Sequence, residues 1–556
     1  MDNDKPWLKS YPPGVPTDID PGEYASVTGI FTEATSRFAS QPAFRNLGKT
    51  IDYATLDRLT VAFASWLQHE ARLVKGDRIA IMMPNLLQYP VAVFGALRAG
   101  LVVVNTNPLY TERELAHQLK DSGAKAIIVV ELFAATVEKV VADTDVEHVI
   151  VTRVGDLLDF PKSFVVNAVM KHVKKMVPSY SLPGHHRFRD VISRGRGLPA
   201  AHADLGHDDL AFLQYTGGTT GVAKGAMLTH GNMVANILQA SAWLSIVDLD
   251  EGEEIIVTAL PLYHIFALTA NCLTFMKLGA MNLLITNPRD IPAFVKDLSS
   301  VRFTAFTGVN TLFVALMNDE NFRKLDFSGL KMTLGGGMAV QRVVAERWKE
   351  ITGDVLVEAY GLTETSPAAC INPMNLKAFN ESIGLPVSST EASIRNPDNE
   401  GVPTGESGEL CIRGPQVMKG YWQRPDETAK TIDGHGWLHT GDVATIDEHG
   451  FVKIVDRLKD MIIVSGFNVY PNEIESVVVE LPGVLEAGAI GVPDERSGEA
   501  VKVVIVRKDP AVTEAMVKAH CKERLTGYKR PKLVQFVDEL PKTNVGKILR
   551  RELRDL

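Results

Sequence analysis

Cysteine is scarce in this chain, and long apolar runs are missing altogether. Cys272, Cys370, Cys411 and Cys521 are scattered through 556 residues with no Cys-x-x-Cys pair. That spacing argues against a zinc site and a disulfide scaffold, and it fits a reducing compartment. No apolar stretch reaches the roughly 18 residues that a membrane-crossing helix needs. Residues 255–275 come nearest, but Pro261, His264 and Asn271 interrupt them. The opening Met1-Asp-Asn-Asp-Lys-Pro6 is acidic and polar, unlike a secretory signal. An excess of positive charge is lacking too: Lys+Arg total 58 against 67 Asp+Glu, a net charge of −9. A general nucleic-acid binder needs a broad cationic face, so that class is disfavoured. No internal repeat or low-complexity tract is seen. What remains is an ordinary globular composition, 45% hydrophobic and 22% charged. The length suits about three or four domain-sized units. The expected location is the cytoplasm, with contact at the inner face of the cytoplasmic membrane as an added candidate.

The first 30 residues are rich in Pro and Gly and read as an arm on the surface. From residue 50 to about 151, short apolar runs such as Leu101-Val-Val-Val104 and Ala126-Ile-Ile-Val-Val130 alternate with helical patterns. Such runs suit parallel strands buried on both faces, so the fold class is α/β. A second α/β half is expected to begin near Asp208. Its strands end in Pro261-Leu-Tyr-His264, Gly308-Val-Asn310 and Gly335-Gly-Gly337. Loops at the C-terminal ends of parallel strands are where such sheets bind ligands. From about 382 to 454, short alternating segments between turns predict a β-rich subdomain. Residues 461–556 read as a compact α+β unit. Residues 164–177 are different: Val165, Val169 and Met176 lie to one side, with Lys162, Lys171, Lys174 and Lys175 interspersed. A basic amphipathic helix can lie on an anionic membrane. The competing reading is an ordinary surface helix packed on the core.

Four motifs carry chemistry. Tyr215-Thr-Gly-Gly-Thr-Thr-Gly-Val-Ala-Lys-Gly225 follows an apolar strand. Its glycines bring backbone N–H groups close to an anion, Thr216, Thr219 and Thr220 add hydroxyls, and Lys224 adds a charge. The spacing is not that of a Walker A loop, because Gly221 is followed by Val-Ala-Lys. Tyr360-Gly-Leu-Thr-Glu-Thr365 gathers an aromatic ring for stacking, a hydroxyl at Thr363 and a carboxylate at Glu364 suited to Mg²⁺. Trp437-Leu-His-Thr-Gly-Asp442 places a carboxylate after a turn, with Val455-Asp-Arg-Leu-Lys-Asp-Met461 downstream. Lys542-Thr-Asn-Val-Gly-Lys547 closes the set. Each alone is weak; a single Asp after Gly is usually a turn residue. No Gly-x-Ser-x-Gly elbow occurs at the strand–helix turns, so no protein nucleophile is expected.

Together these motifs resemble the acyl-adenylate-forming superfamily, over roughly residues 25–556. Residues 436–475 are most similar to bacterial long-chain fatty acid–CoA ligases. The resemblance implies a large N-terminal domain (1–457) of two parallel-sheet subdomains and a β-rich one, a hinge (458–460) at Lys459, and a small mobile domain (461–556). It implies ATP binding by Thr216, Gly217, Gly218, Thr219, Thr220, Gly221, Lys224, Tyr360 and Gly361. Asp442 and Arg457 would take the ribose. Gly335, Gly336 and Gly337 would leave room between adenine and acyl chain. Lys547, Glu364 and Thr363 would be catalytic, with Glu364 on Mg²⁺. His264, Val309, Gly337 and Gly466 would line the acyl and pantetheine tunnels, with His264 as gate. The implied partners are fatty acid, ATP and CoA, and a second copy of the chain is a further candidate. One departure is Arg530, where a small apolar residue is the family's habit. An aryl–CoA ligase would carry almost the same motifs. A nucleotide-binding module without turnover fits less well, because Lys547, Glu364 and Asp442 occur together.

Overall fold

The computed structural model describes residues 5–216, 223–494, 496–543, 546 and 548–556. The apolar runs of the first half become a seven-stranded sheet. Its parallel centre is His148–Thr152, Ala126–Val130, Arg78–Met82, Val102–Asn105 and Leu210–Thr216. Successive side chains of a strand point to opposite faces. Ile79 and Ile81 therefore join Phe63 and Phe94 in one core, while Ala80 and Met82 join Leu115 and Val137 in another. Burial on both faces explains why these strands read as continuous rather than alternating apolar runs.

The second sheet has nine strands. Leu356–Gly361, Met332–Gly335, Ala305–Gly308, Ile255–Thr258 and Met281–Leu284 run parallel within it. One expectation is corrected here. The second half does not begin at Asp208, because Leu210–Thr216 pairs in parallel with Val102–Asn105 in the first sheet. Conversely, the early Pro42–Asn46 strand crosses over to pair with Met281–Leu284. Strand periodicity reports burial and not the neighbour, so this exchange was not readable.

The β-rich region is an antiparallel sheet of Glu391–Arg395, Gly408–Arg413, Leu438–Ile446 and Val452–Arg457. The N-terminal arm is anchored beside it: Trp7 is buried, and the Tyr11 hydroxyl donates to the Pro386 carbonyl. The C-terminal unit has its own core, in which Ile474 and Val478 of the Pro471–Val479 helix pack on Val501, Val503 and Ile505 of the Gly498–Arg507 strand. The 164–177 segment is the Lys162–Ala168 helix, continued by a wider π-turn over Val169–Val173. Val166 and Met170 pack on the core, but Phe160, Phe164 and Val173 are 85%, 71% and 73% exposed. Among the described residues, no helix is long and apolar enough to cross a membrane.

Candidate functional site

The functional motifs meet at one cavity of about 1970 Å³ between the two large sheets, the β-rich sheet and the C-terminal unit. Its walls hold Thr216, Lys224, His264, Val309, Gly336, Gly337, Tyr360, Gly361, Thr363, Glu364, Asp442, Arg457 and Lys459. Most of these stand where a parallel strand gives way to its loop, as the switch-point rule requires.

One end is built from two antiparallel strands. Asp442 and Arg457 are partners in register across Leu438–Ile446 and Val452–Arg457. Arg457 Nε lies 3.1 Å from Asp442 Oδ1, and the Tyr360 hydroxyl donates to Asp442 Oδ2 at 2.6 Å. Asp442 is almost fully buried. Burial, and then the Asp442 carboxylate, hold the Tyr360 phenol well above its usual pKa, so it stays a donor. Behind this pair, Glu409 accepts from the Gly441 N–H at 2.9 Å and bonds His439 Nδ1 at 2.8 Å. Neither residue was singled out from the sequence; the cross-strand pairing of Cys411 with His439 is what brings them together.

At the other end, Thr216 and Lys224 close the hairpin of Leu210–Thr216 and Lys224–Thr229. Lys224 is paired with Glu427 at 2.7 Å and stands 4.7 Å from the Tyr421 ring centre. Hydrogen bonds from Lys224 and Lys430 pull the Glu427 pKa down to about 2. The Tyr421 hydroxyl donates to Glu364 Oε1 at 2.6 Å. Tyr421 and Glu427 carry no role in the sequence reading, and they lie close together in the chain, six residues apart. Carboxylate and hydroxyl oxygens at Glu364 and Thr363 are the hard donors that Mg²⁺ favours. A group of three mutually close metal-type donors does exist among the described residues, Glu409, Cys411 and His439, and Glu364 is not part of it.

The glycines divide. Gly336 and Gly337 line the cavity, and Gly337 has a φ of +75°, which disfavours any side chain. Gly335 lies behind them, where a Cβ would meet Val340 and Leu356 at 2.7 and 2.8 Å, so its role is packing. Gly466 sits at the turn between Ile462–Val464 and Phe467–Val469 and does not line the cavity. Gly217, Gly218, Thr219, Thr220, Gly221 and Lys547 lie outside the described residues. Gly546 is described: a Cβ there would come within 2.5 Å of the Thr311 hydroxyl and 3.5 Å of Val309. Gly546 itself therefore stands against Thr311 and against Val309 of the cavity wall. Arg530 donates to the Leu525 carbonyl, away from the cavity.

A buried carboxyl completes the wall. Glu358 stands two residues before Tyr360 and accepts from the Val340 N–H at 3.2 Å. Burial raises its pKa to about 8. The same cavity is also lined by apolar side chains, among them Ala240 and Leu244 of the His230–Leu244 helix, Phe275, Met332 and Ile371.

Comparison with known proteins agrees with this geometry. Residues 31–422 match the model of AMP-binding enzymes, and residues 473–547 match that of the AMP-binding enzyme C-terminal domain. A long-chain-fatty-acid–CoA ligase of Escherichia coli O6:H1 is 59% identical, over 99% of this chain and 98% of that one. A feruloyl-CoA synthase of an Amycolatopsis species is 36% identical, over 92% and 95%. Among solved structures, the anthranilate CoA ligase AuaEII in complex with anthranoyl-AMP aligns with a TM-score of 0.85 at 24% identity, over 97% and 98%. With matches of this extent, the chain belongs to the family of AMP-binding enzymes.

Proposed function

We propose that the protein is an ATP-dependent fatty acid–CoA ligase. The observation that carries this reading is one cavity lined both by the polar Asp442, Arg457 and Glu364 and by the apolar Ala240, Leu244, Phe275, Met332 and Ile371. The acid's carboxylate oxygen bonds to the α-phosphorus of ATP, and the bond to pyrophosphate breaks. The CoA sulfur, losing its proton, then bonds to the acyl carbon, and AMP leaves. Two transfers through an activated intermediate replace one difficult condensation. Asp442 receives the ribose hydroxyls, Tyr360 and Arg457 hold that carboxylate, and Thr216 and Lys224 flank the phosphates. Glu364, with Thr363, would hold Mg²⁺, which neutralises phosphate charge when bound. Lys547 supplies a preorganised cation where negative charge develops, the arrangement that lowers such barriers most.

In this reading residues 1–457 bind ATP and acid, residues 458–460 turn, and residues 461–556 bring Lys547 and later Gly466 to the site. His264 gates the tunnels. The chain works in the cytoplasm and touches the inner membrane face through residues 160–177. That surface carries exposed Phe160, Phe164 and Val173, and residues 160–189 hold six Lys and Arg without one Asp or Glu in a chain of net charge −9. Replacing Lys171, Lys174 and Lys175 by Glu should abolish pelleting with anionic liposomes and leave the rate with soluble acid unchanged. Unaltered pelleting would remove this surface from the reading.

The test of the main reading is AMP formation with ATP, Mg²⁺ and CoA across straight-chain and aromatic acids. The expected maximum is at medium to long straight chains. A maximum at coumarate- or benzoate-like acids would keep the residues and overturn the substrate. The higher identity to the fatty-acid enzyme and the apolar part of the lining favour the first outcome.

A further inference from the structure

Among the described residues, a dense charge cluster lines the same cavity where the small unit meets the large one. Its centre is Arg550, three residues after Lys547. The Arg550 side chain is only 15% exposed. Nε and Nη2 bind the two oxygens of Glu475 at 3.0 and 2.9 Å. Nη1 reaches Asp456 at 3.3 Å and Asp460 at 3.2 Å, and Nη2 also reaches the Asn472 side chain. A guanidinium has five N–H donors, and here each finds an acceptor.

The acceptors are unequally placed. Glu475 and Asn472 lie on the Pro471–Val479 helix of the same small unit as Arg550. Asp460 stands at the end of the connecting residues. Asp456 alone among them belongs to the β-rich sheet, in the Val452–Arg457 strand beside Arg457. Its carboxylate is fully buried and also accepts the Arg457 N–H at 2.7 Å and the Asn472 N–H at 2.8 Å. Asp456 is thus one point where the large body grips the small one. Removing its cation would leave an uncompensated buried charge, the costly way to break an ion pair.

We propose that the Arg550–Asp456 contact is a latch that positions the Lys547 segment for the first half-reaction and opens when the small unit turns for the second. Arg550 acts here through the segment it holds, as a positioning residue. The proposal rests on the two-step reading above. It assigns to Arg550 and Asp456 an effect on one half-reaction and not the other, which a merely structural ion pair would not have.

The test measures the half-reactions separately in the full-length protein: pyrophosphate release from fatty acid and ATP, and acyl-CoA formation from supplied acyl-AMP and CoA. Asp456→Asn and Arg550→Gln should each lower the first by about 10- to 100-fold, the scale of one charged hydrogen bond. The second should stay within about twofold, since the latch is open in that step. Arg550→Lys should restore little, because an ammonium cannot make the forked set of contacts. A distance between spin labels at exposed Val343 and Leu533, one on each body, gives an independent readout. It should broaden in Asp456→Asn without ligands. Equal loss in both half-reactions with an unchanged distance would overturn the latch. If Arg550→Gln fails to fold, Asp456→Asn decides alone. A wild-type protein inactive in both halves would instead overturn the ligase reading.

Discussion

The two ends of the cavity solve the binding problem in opposite ways. At the Asp442 end, the acceptor is almost fully buried, held from two sides at 2.6 and 3.1 Å, and carried on strands paired in register. At the Lys224 end, the charged groups are more open, and each is occupied by a partner inside the protein, Lys224 by Glu427 and Glu364 by Tyr421. In the proposed reading, the physical reason lies in what each end would receive, ribose at the first and phosphates with Mg²⁺ at the second. Ribose hydroxyls are neutral, so a rigid carboxylate can wait for them without cost. Phosphates and Mg²⁺ are charged, so cation and anion must be neutralised until ligand arrives and then exchange partners. Exposed ion pairs are worth only about 0.2–1 kcal/mol, which makes that exchange cheap. A buried pair would lose about 3–5 kcal/mol on opening, which suits the end that does not open.

The sharpest form of this contrast concerns Lys547, the cation expected beside the reacting phosphate. Lys547→Ala should lose adenylation by roughly 10²–10³-fold, the scale of one lost electrostatic donor. Acyl transfer from supplied acyl-AMP should survive. Equal loss in both half-reactions would make Lys547 structural and remove the charge-exchange account of that end.

Next in size is a pH effect at the rigid end. Burial places the Glu358 pKa at about 8 against an ordinary 4.5, so the fold favours the protonated acid. Its contribution to stability is full below about pH 4.5 and is lost as pH rises towards 8. A tenfold change in proton affinity between folded and unfolded chain corresponds to about 1.4 kcal/mol, so the whole span is on the order of a few kcal/mol. Glu358→Gln, which is neutral throughout, should melt higher than wild type at pH 8.5 and show a flatter dependence of Tm on pH between 5 and 8.5. Parallel Tm–pH curves for the two proteins would mean that Glu358 is ionised, and the rigid end would then hold an unpaired buried charge.

Much of this contrast was legible in the sequence, and the missing part has one cause. Tyr360, Glu364, Asp442 and Arg457 stand in contiguous motifs whose resemblance to the superfamily singled them out, and all line the cavity. The strand run Ala126–Val130 falls where apolar patterning put it, and the antiparallel strand Gly408–Arg413 lies in the region read as β-rich. What local reading missed is pairing between distant segments. Glu427 meets Lys224 across 203 residues, Tyr421 meets Glu364 across 57, and Arg550 meets Asp456 across 94. Leu210–Thr216 joins the first sheet for the same reason: a doubly buried strand carries no mark of its neighbour. Gly335 was grouped with Gly336 and Gly337 because adjacency in sequence hides which way each would point a Cβ.

A middle-sized effect tests the rigid end directly. Asp442→Asn removes a charged acceptor and leaves Arg457 without its partner. KM for ATP should rise by about 10- to 100-fold, as expected for one hydrogen bond to a charged group. Tyr360→Phe removes only the neutral side of the clamp and should cost about tenfold or less. If Tyr360→Phe costs as much as Asp442→Asn, the phenol acts on the nucleotide itself rather than through Asp442.

The smallest effect is also the one most specific to the exchange idea. Glu427→Gln leaves Lys224 without its internal anion, so phosphate no longer has to displace one. KM for ATP should fall by about two- to fivefold, the range of an exposed ion pair, and the gain should shrink as salt rises. A rise in KM would show that Glu427 aims Lys224 instead of competing for it. Both ends of the cavity would then be preorganised, and the contrast between them would reduce to a difference in exposure alone.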